Sequence, residues 1–159
     1  MNTQKEVLDI FKYKDGVLYW KVDMHARKVK GKPCGNANKG DGRLRTQVKG
    51  KNMLNHRIIF LMHHGYLPNR IDHIDGNFLN NQIKNLRDAT HSQNMCNRKI
   101  NVNNTSGIKG ISWDGKYWKV QIYVGGKHAF NKRFDNLELA ELAAIEAREK
   151  YHGQYARYK

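Results

Sequence analysis

The residues best suited to chemistry lie in one short stretch. Ile71-Asp72-His73-Ile74-Asp75-Gly76-Asn77 sets a carboxylate beside an imidazole ahead of a glycine-containing loop, and carboxamides follow at Asn80, Asn81, Asn85 and Asn94. Hydrolysis of a phosphodiester makes three demands that such a set can meet. Water must lose a proton near neutral pH, and histidine is the side chain whose ordinary pKa lies there. Charge growing on the phosphorane-like transition state and on the departing 3′ oxygen must be neutralised, which a hard divalent cation does. Such a cation takes oxygen ligands, available from Asp and Asn, and keeps positions open for phosphate oxygens and water. His73 cannot easily serve as both ligand and base. Successive strand residues point to opposite faces, but at a strand end or kink Asp72 and His73 can border one site.

Holding these groups requires a strand, a loop, a return strand and a helix. Asn85-Leu86-Arg87 is expected to be the return strand. Thr90 with Gln93 has capping-box spacing, which places Asn94 in the first turn of a helix whose positive end favours a nearby phosphate. Upstream, Asn55 is expected to cap a helix carrying Ile58, Phe60, Leu61 and Met62 that ends at Gly65, before Pro68. Residues 1–53 read as a basic, strand-rich region. Val17 to Trp20 follows the turn signal Asp15-Gly16, Gly31 to Gly42 is a loop, Arg43 to Val48 alternates, and Lys49 to Asn52 is a hairpin turn.

A polar connection, residues 99–105, separates this half from residues 106–159. There Trp118, Val120, Ile122 and Val124 alternate with Lys119, Gln121 and Tyr123, the pattern of a half-buried strand. Gly125-Gly126 predicts a tight turn, and Lys127 to Phe134 a further strand. A helix follows, capped by Asp135 with Glu138 at N3, with Leu139, Leu142, Ala143, Ile145 and Ala147 as its apolar side and Gly153 as its stop. The expected class is α+β, with a C-terminal three-stranded antiparallel sheet packed on one helix.

Charge points to the partner. The 159 residues carry 29 Lys plus Arg against 14 Asp plus Glu, a formal charge of +15. The surplus lies in residues 1–70 and 101–159, while residues 71–100 are nearly neutral. That distribution suits a cation-binding centre set between parts that grip a polyanion, and nucleic acid is the first candidate. A hydrophobic content of 39% and an aromatic content of 10% supply folded cores and argue against a disordered polycation. No apolar run is long enough to span a membrane, and no secretory leader is read at the N-terminus. Cys34 and Cys96 are isolated, so neither a disulfide framework nor a structural zinc is expected. The chain is read as an intracellular, cytoplasmic protein.

Asn55-His56-Arg57, Asp72-His73-Ile74-Asp75-Gly76-Asn77, Asn81, Asn85-Leu86-Arg87 and Asn94 together resemble the HNH endonucleases of phages and mobile introns, over about residues 54–98. The resemblance implies a ββα-metal fold and a homing-type, site-directed DNA endonuclease leaving 5′-phosphate and 3′-hydroxyl ends. It implies His73 as general base, Asp72 and Asn94 as ligands of one divalent metal, and Asn85 as the residue that orients the histidine and braces the loop. His56 is then structural. Mg²⁺ is the default metal, with Mn²⁺ tolerated.

Ser106-Gly107-Ile108-Lys109-Gly110-Ile111, Trp118, Val120, Ile122, Phe134 and the Ala-rich helix to Gly153 are similar to the DNA-binding domain of plant APETALA/ethylene-response factors. That resemblance implies a three-stranded sheet laid in the major groove of double-stranded DNA. Lys109, Ser112, Gln121, Tyr123 and His128 then face DNA, with Lys116, Lys119, Lys127, Lys132 and Arg133 as phosphate contacts. Ser112 and Tyr123 stand where the plant pattern prefers Arg. Arg43 and Arg45 of the basic N-terminal region are further candidate DNA contacts.

Blander readings stand beside these. A lone Asp-His pair is a surface loop. His63-His64 reads as a helix C-terminus, Asp75 as a turn residue, and Trp20 and Trp118 as core. His91 either approaches the site or faces solvent, and the basic loop from Arg27 to Lys39 is either solvated or a DNA contact. The rivals to the endonuclease are a DNA-binding regulator that keeps the fold without cutting, and an RNA-directed nuclease. Monomer and homodimer both remain open.

Overall fold

The computed structural model describes residues 3–24 and 29–158. Arg27 and Lys28 of the basic loop lie outside the described residues. The chain divides into two compact units, Met1–Asp88 and Ala89–Lys159.

The first unit opens with a helix that the strand-and-turn reading did not include. Thr3 accepts from the Glu6 backbone N–H while Glu6 reaches back to Thr3, and this capping box starts α1, Gln4–Ile10. The antiparallel hairpin of β1 (Phe11–Lys14) and β2 (Val17–Trp20) follows, closed by Asp15-Gly16. A three-stranded antiparallel sheet comes next: β3 (Asn36–Ala37), β4 (Leu44–Val48) and β5 (Lys51–Leu54). β3 lies inside the segment expected to be loop; pairing with β4, not local propensity, makes it a strand.

Helix α2 spans Asn55–His64 and ends on the left-handed Gly65. Its cap corrects the sequence reading. Leu54 is the N-cap, and Asn55 is buried in the first turn, where its Oδ1 accepts from the Thr46 hydroxyl at 2.7 Å and its Nδ2 donates to the Cys34 carbonyl at 3.0 Å. Gly35 makes room for that bracket: a Cβ there would lie 2.6 Å from Asn55 Nδ2, and its φ of +101° already favours glycine. Val7, Ile10, Phe11, Leu18 and Trp20 close on Ile58, Ile59, Phe60, Leu61 and Met62 around α2. Each such large side chain, buried, contributes roughly 1.5–3 kcal/mol. Against this core lie β6 (Ile71–His73) and its antiparallel partner β7 (Leu86–Asp88), joined by a loop that ends in a 3₁₀ turn at Ile83–Asn85.

The second unit begins with α3, His91–Cys96, started by the expected capping box of Thr90 and Gln93. Its antiparallel sheet has the order β10-β9-β8, with β8 at Ile111–Trp113, β9 at Trp118–Val124 and β10 at Lys127–Phe134. Asn104 and Ser106 donate to the carbonyls of Ile108 and Ile111, so the approach to β8 is braced by its own side chains.

Helix α4, Leu137–His152, covers one face of this sheet. Asn136, not Asp135, caps it, accepting from Glu138 N–H at 2.6 Å. The buried side is Ala140, Ala144 and Ala147 on Ile111, Val120 and Ile122, whereas Leu139 and Leu142 are exposed. Small alanines let the helix lie close to the sheet, so the bulkier leucines of the expected apolar side fall on the solvent side. The protein is thus α+β, with a three-stranded sheet packed on one helix. No helix among the described residues is long and apolar enough to cross a membrane.

Candidate active site

Asp72 and His73 end β6, paired in register with Arg87 and Leu86 of β7. Both are buried, unlike a surface Asp-His pair. Asp72 Oδ2 accepts from Arg87 Nη2 at 2.7 Å and from Nε at 2.8 Å, which orients the carboxylate inside the fold.

His73 is held at Nε2, which lies 3.1 Å from Asn81 Oδ1. A carboxamide oxygen only accepts, so Nε2 carries the proton and Nδ1 has the lone pair that can take one from water. Burial is the largest influence on the ring and lowers its pKa. The Asn81 bond and the charges of Asp75 and Asp72 work the other way, and Arg43 adds to the lowering. The result is an imidazole that is neutral, and able to accept a proton, at neutral pH.

The loop beyond His73 is closed by carboxamides. Asn85 Oδ1 accepts from the Asp75 backbone N–H, and Asn85 Nδ2 donates to Asp75 Oδ1 and to the Asn80 carbonyl. Asn80 Nδ2 donates to Asp75 Oδ2 at 2.7 Å, and Ile74 N–H donates to the Asn85 carbonyl at 2.9 Å. Burial works to raise the Asp75 pKa, but the Asn77 backbone and the Asn80 and Asn85 side chains outweigh it and leave it lowered. Of the two tasks expected of Asn85, the structure displays the bracing. The bond at His73 Nε2 comes from Asn81, a motif residue to which the sequence alone gives no role.

His56, at the start of α2, lies edge-on to His73 with ring centroids 5.2 Å apart. Burial, aided by the charges of His73, Arg43 and Arg57, pushes its pKa down to about 3. His63 turns back at the helix end, its Nδ1 2.8 Å from the Ile59 carbonyl.

Asn94 sits on α3 in the second unit, half-buried, and His91 opens that helix, exposed. Among the described residues no group of three or more His, Cys, Asp or Glu side chains could hold a metal. The donors that the family resemblance names, a buried carboxylate and a carboxamide, are oxygen ligands whose chemistry fits a hard divalent cation.

The expected DNA contacts separate into groups. On the sheet face away from α4, the register aligns Ser112, Lys119 and Arg133, then Gln121 with Asn131, then Tyr123 with His128. The Tyr123 and His128 rings lie 4.2 Å apart. Asn131 shares this face through strand alternation from Arg133. Arg133 also pairs with Asp114 at 2.7 Å. Lys127 is exposed at the start of β10, and Lys116 lies over the Tyr117 ring. Lys132, by contrast, follows the register of Val120, on the α4 side, over Phe130. Lys109 is turned inward, its Nζ donating at 2.6 Å to the carbonyls of Cys96 and Arg98 at the end of α3. Desolvation lowers its pKa to about 8. In the first unit Arg45 pairs with Asp41 at 2.9 Å, and Arg43 lies over Phe78, 5.6 Å from the ring centre.

Residues 54–96 match the family described as HNH endonuclease. Protein 3.8 of Escherichia phage T7 is 42% identical over 94 residues, covering 56% of this chain and 74% of the phage protein. The chain belongs to the family of phage T7 Protein 3.8 and carries an HNH endonuclease domain. No solved structure matches it. An HNH domain implies a nucleic-acid substrate and a nuclease or DNA-binding function, and HNH nucleases generally use a divalent metal. The matched segment of this domain contains Asp72, His73, Asn81, Asn85 and Asn94.

Proposed function

We propose that the chain is a metal-dependent, homing-type DNA endonuclease in which His73 is the general base. The observation that carries this reading is the state of the imidazole: neutral, buried at a strand end, and fixed at Nε2 by Asn81. His73 Nδ1 takes a proton from water, whose oxygen attacks phosphorus in line with the 3′ oxygen. The P–O3′ bond breaks, and the 3′ oxygen leaves with its electron pair and is protonated from solvent. The ends are a 5′-phosphate and a 3′-hydroxyl.

Asp72 and Asn94 are the residues that would hold the divalent metal, Mg²⁺ by default, with Asn94 resting on the family resemblance alone. When bound, the ion supplies positive charge to the phosphoryl and leaving oxygens. Asn85 keeps the loop closed, and Asn81 keeps the ring in the correct tautomer.

The sheet of the second unit is proposed to supply duplex recognition, as the APETALA/ethylene-response-factor resemblance implies. Gln121, Tyr123, His128 and Ser112 face bases, while Lys119, Arg133 and Lys127 face phosphates, supported by the alignment of these side chains on the face opposite α4.

One observation favours a second reading, a DNA-binding protein that does not cut: Arg87 already neutralises Asp72. Plasmid nicking with Mg²⁺ or Mn²⁺ separates the two. Cleavage that disappears in His73→Ala while duplex binding persists supports the enzyme. Binding without cleavage in the wild-type chain supports the regulator, and preferential cutting of RNA replaces the substrate.

A further inference from the structure

Arg43, a candidate DNA contact of the basic N-terminal region, is brought by the fold to the HNH loop. The turn from Asn38 to Arg43 is tied by its own backbone: Asn38 N–H donates to the Arg43 carbonyl at 3.0 Å and Gly42 N–H to the Asn38 carbonyl at 2.8 Å. Gly42 packs beneath Phe78, where a Cβ would lie 3.6 Å from the ring. Arg43 then lays its guanidinium over that same ring, at 5.6 Å from its centre. Phe78 belongs to the loop that Asn85 braces, so this contact ties the cation to the segment following His73.

The Arg43 charge acts on Asp41 only through space. Asp41, the carboxylate nearest in sequence, accepts from the Arg43 backbone N–H at Oδ1 and from Arg45 Nη2 at Oδ2. Among the described residues no carboxylate forms an ion pair with the Arg43 side chain. Its charge nonetheless reaches both imidazoles, lowering the proton affinity of His56 and of His73. A half-buried cation laid on the loop that follows the base, with no ion pair of its own among the described residues, suits an anion that arrives with the substrate.

We propose that Arg43 binds the scissile phosphate, holding its non-bridging oxygens against His73 with Phe78 as the platform for the guanidinium. This rests on the nuclease reading above. Phosphoryl oxygens match the planar donors of a guanidinium, and negative charge on them grows as water adds to phosphorus, so the contact strengthens toward the transition state.

The test is steady-state cleavage of a duplex in Mn²⁺ by the full chain. Arg43→Ala should lower kcat by about 100-fold while KM changes by about threefold or less. Added guanidinium ion should restore Arg43→Ala by about tenfold and leave the wild-type rate unchanged. Arg43→Lys, which keeps the charge and loses the planar fork, should fall between wild type and Arg43→Ala. It covers the case in which Arg43→Ala does not fold.

Wild-type rates in Arg43→Ala, or a loss confined to KM, would overturn the role of Arg43 and leave His73 standing. A loss that guanidinium does not restore in folded Arg43→Ala would also overturn it. A wild-type chain that binds duplex but never cuts it would overturn the nuclease reading, and this inference with it.

Discussion

His56 and His73 meet edge to face, with their ring planes at 76° and centroids 5.2 Å apart. One ring is proposed to exchange protons with water, and the other is kept from protonating. Burial holds the His56 pKa at about 3 against an ordinary 6.5. Between those values the unfolded chain binds a proton that the folded chain refuses. The stability contribution is therefore complete above pH 6.5 and falls as pH drops toward 3. Urea midpoints at neutral and mildly acidic pH should show this loss, and His56→Phe should flatten it. His56→Ala, which leaves a hole beside His73, should cost about 2–4 kcal/mol at neutral pH.

The Asn81 bond raises the proton affinity of His73 against the pull of burial. Asn81→Ala should therefore move the acidic limb of the pH–rate profile to lower pH. It should also reduce the plateau rate roughly 10- to 100-fold, because the tautomer is no longer fixed. A profile that stays in place would remove Asn81 from the mechanism.

Arg87 is the counter-charge of buried Asp72. Arg87→Ala should destabilise the protein by about 3–5 kcal/mol by leaving a carboxylate unpaired. If Asp72 is a metal ligand, Mg²⁺ or Mn²⁺ should raise the melting temperature of Arg87→Ala more than that of the wild type. Equal shifts would argue against ligation.

Lys109 and Lys119 should respond differently to salt. Lys119→Gln should reduce the slope of log affinity for duplex against log salt by about 0.9, the signature of one lost phosphate contact. Lys109→Gln should leave that slope unchanged and lower thermal stability, because its Nζ donates to the end of α3.

What could be read in the sequence was what neighbouring residues decide among themselves. The Thr90–Gln93 capping box, the Gly125-Gly126 turn and the alternation from Trp118 to Val124 are local rules, and the elements they imply are present. The Thr3–Glu6 box was equally local, but a seven-residue helix is too short to show a convincing apolar period.

Long-range contacts stayed hidden. Asn55 resembles a cap until Thr46 and Cys34 claim its side chain. Leucines resemble the buried side of α4 until the closeness of the sheet selects alanines. Asp72, His73 and Asn85 were legible because a contiguous motif carries them. The hold of Asn81 on Nε2 and the approach of Arg43 to Phe78 depend on how the loop folds back, which spacing alone does not encode.

The two thiols fall one to each unit. Cys34 is buried in the first, its pKa pushed up to about 12, and desolvation also raises that of the half-covered Cys96 in the second. Cys34 is shielded from reagents while its surroundings stay closed, whereas Cys96 is only partly covered. Pulsed alkylation of Cys34 followed by peptide mass analysis therefore times the opening of the first unit, with Cys96 as an internal reference and no engineered label.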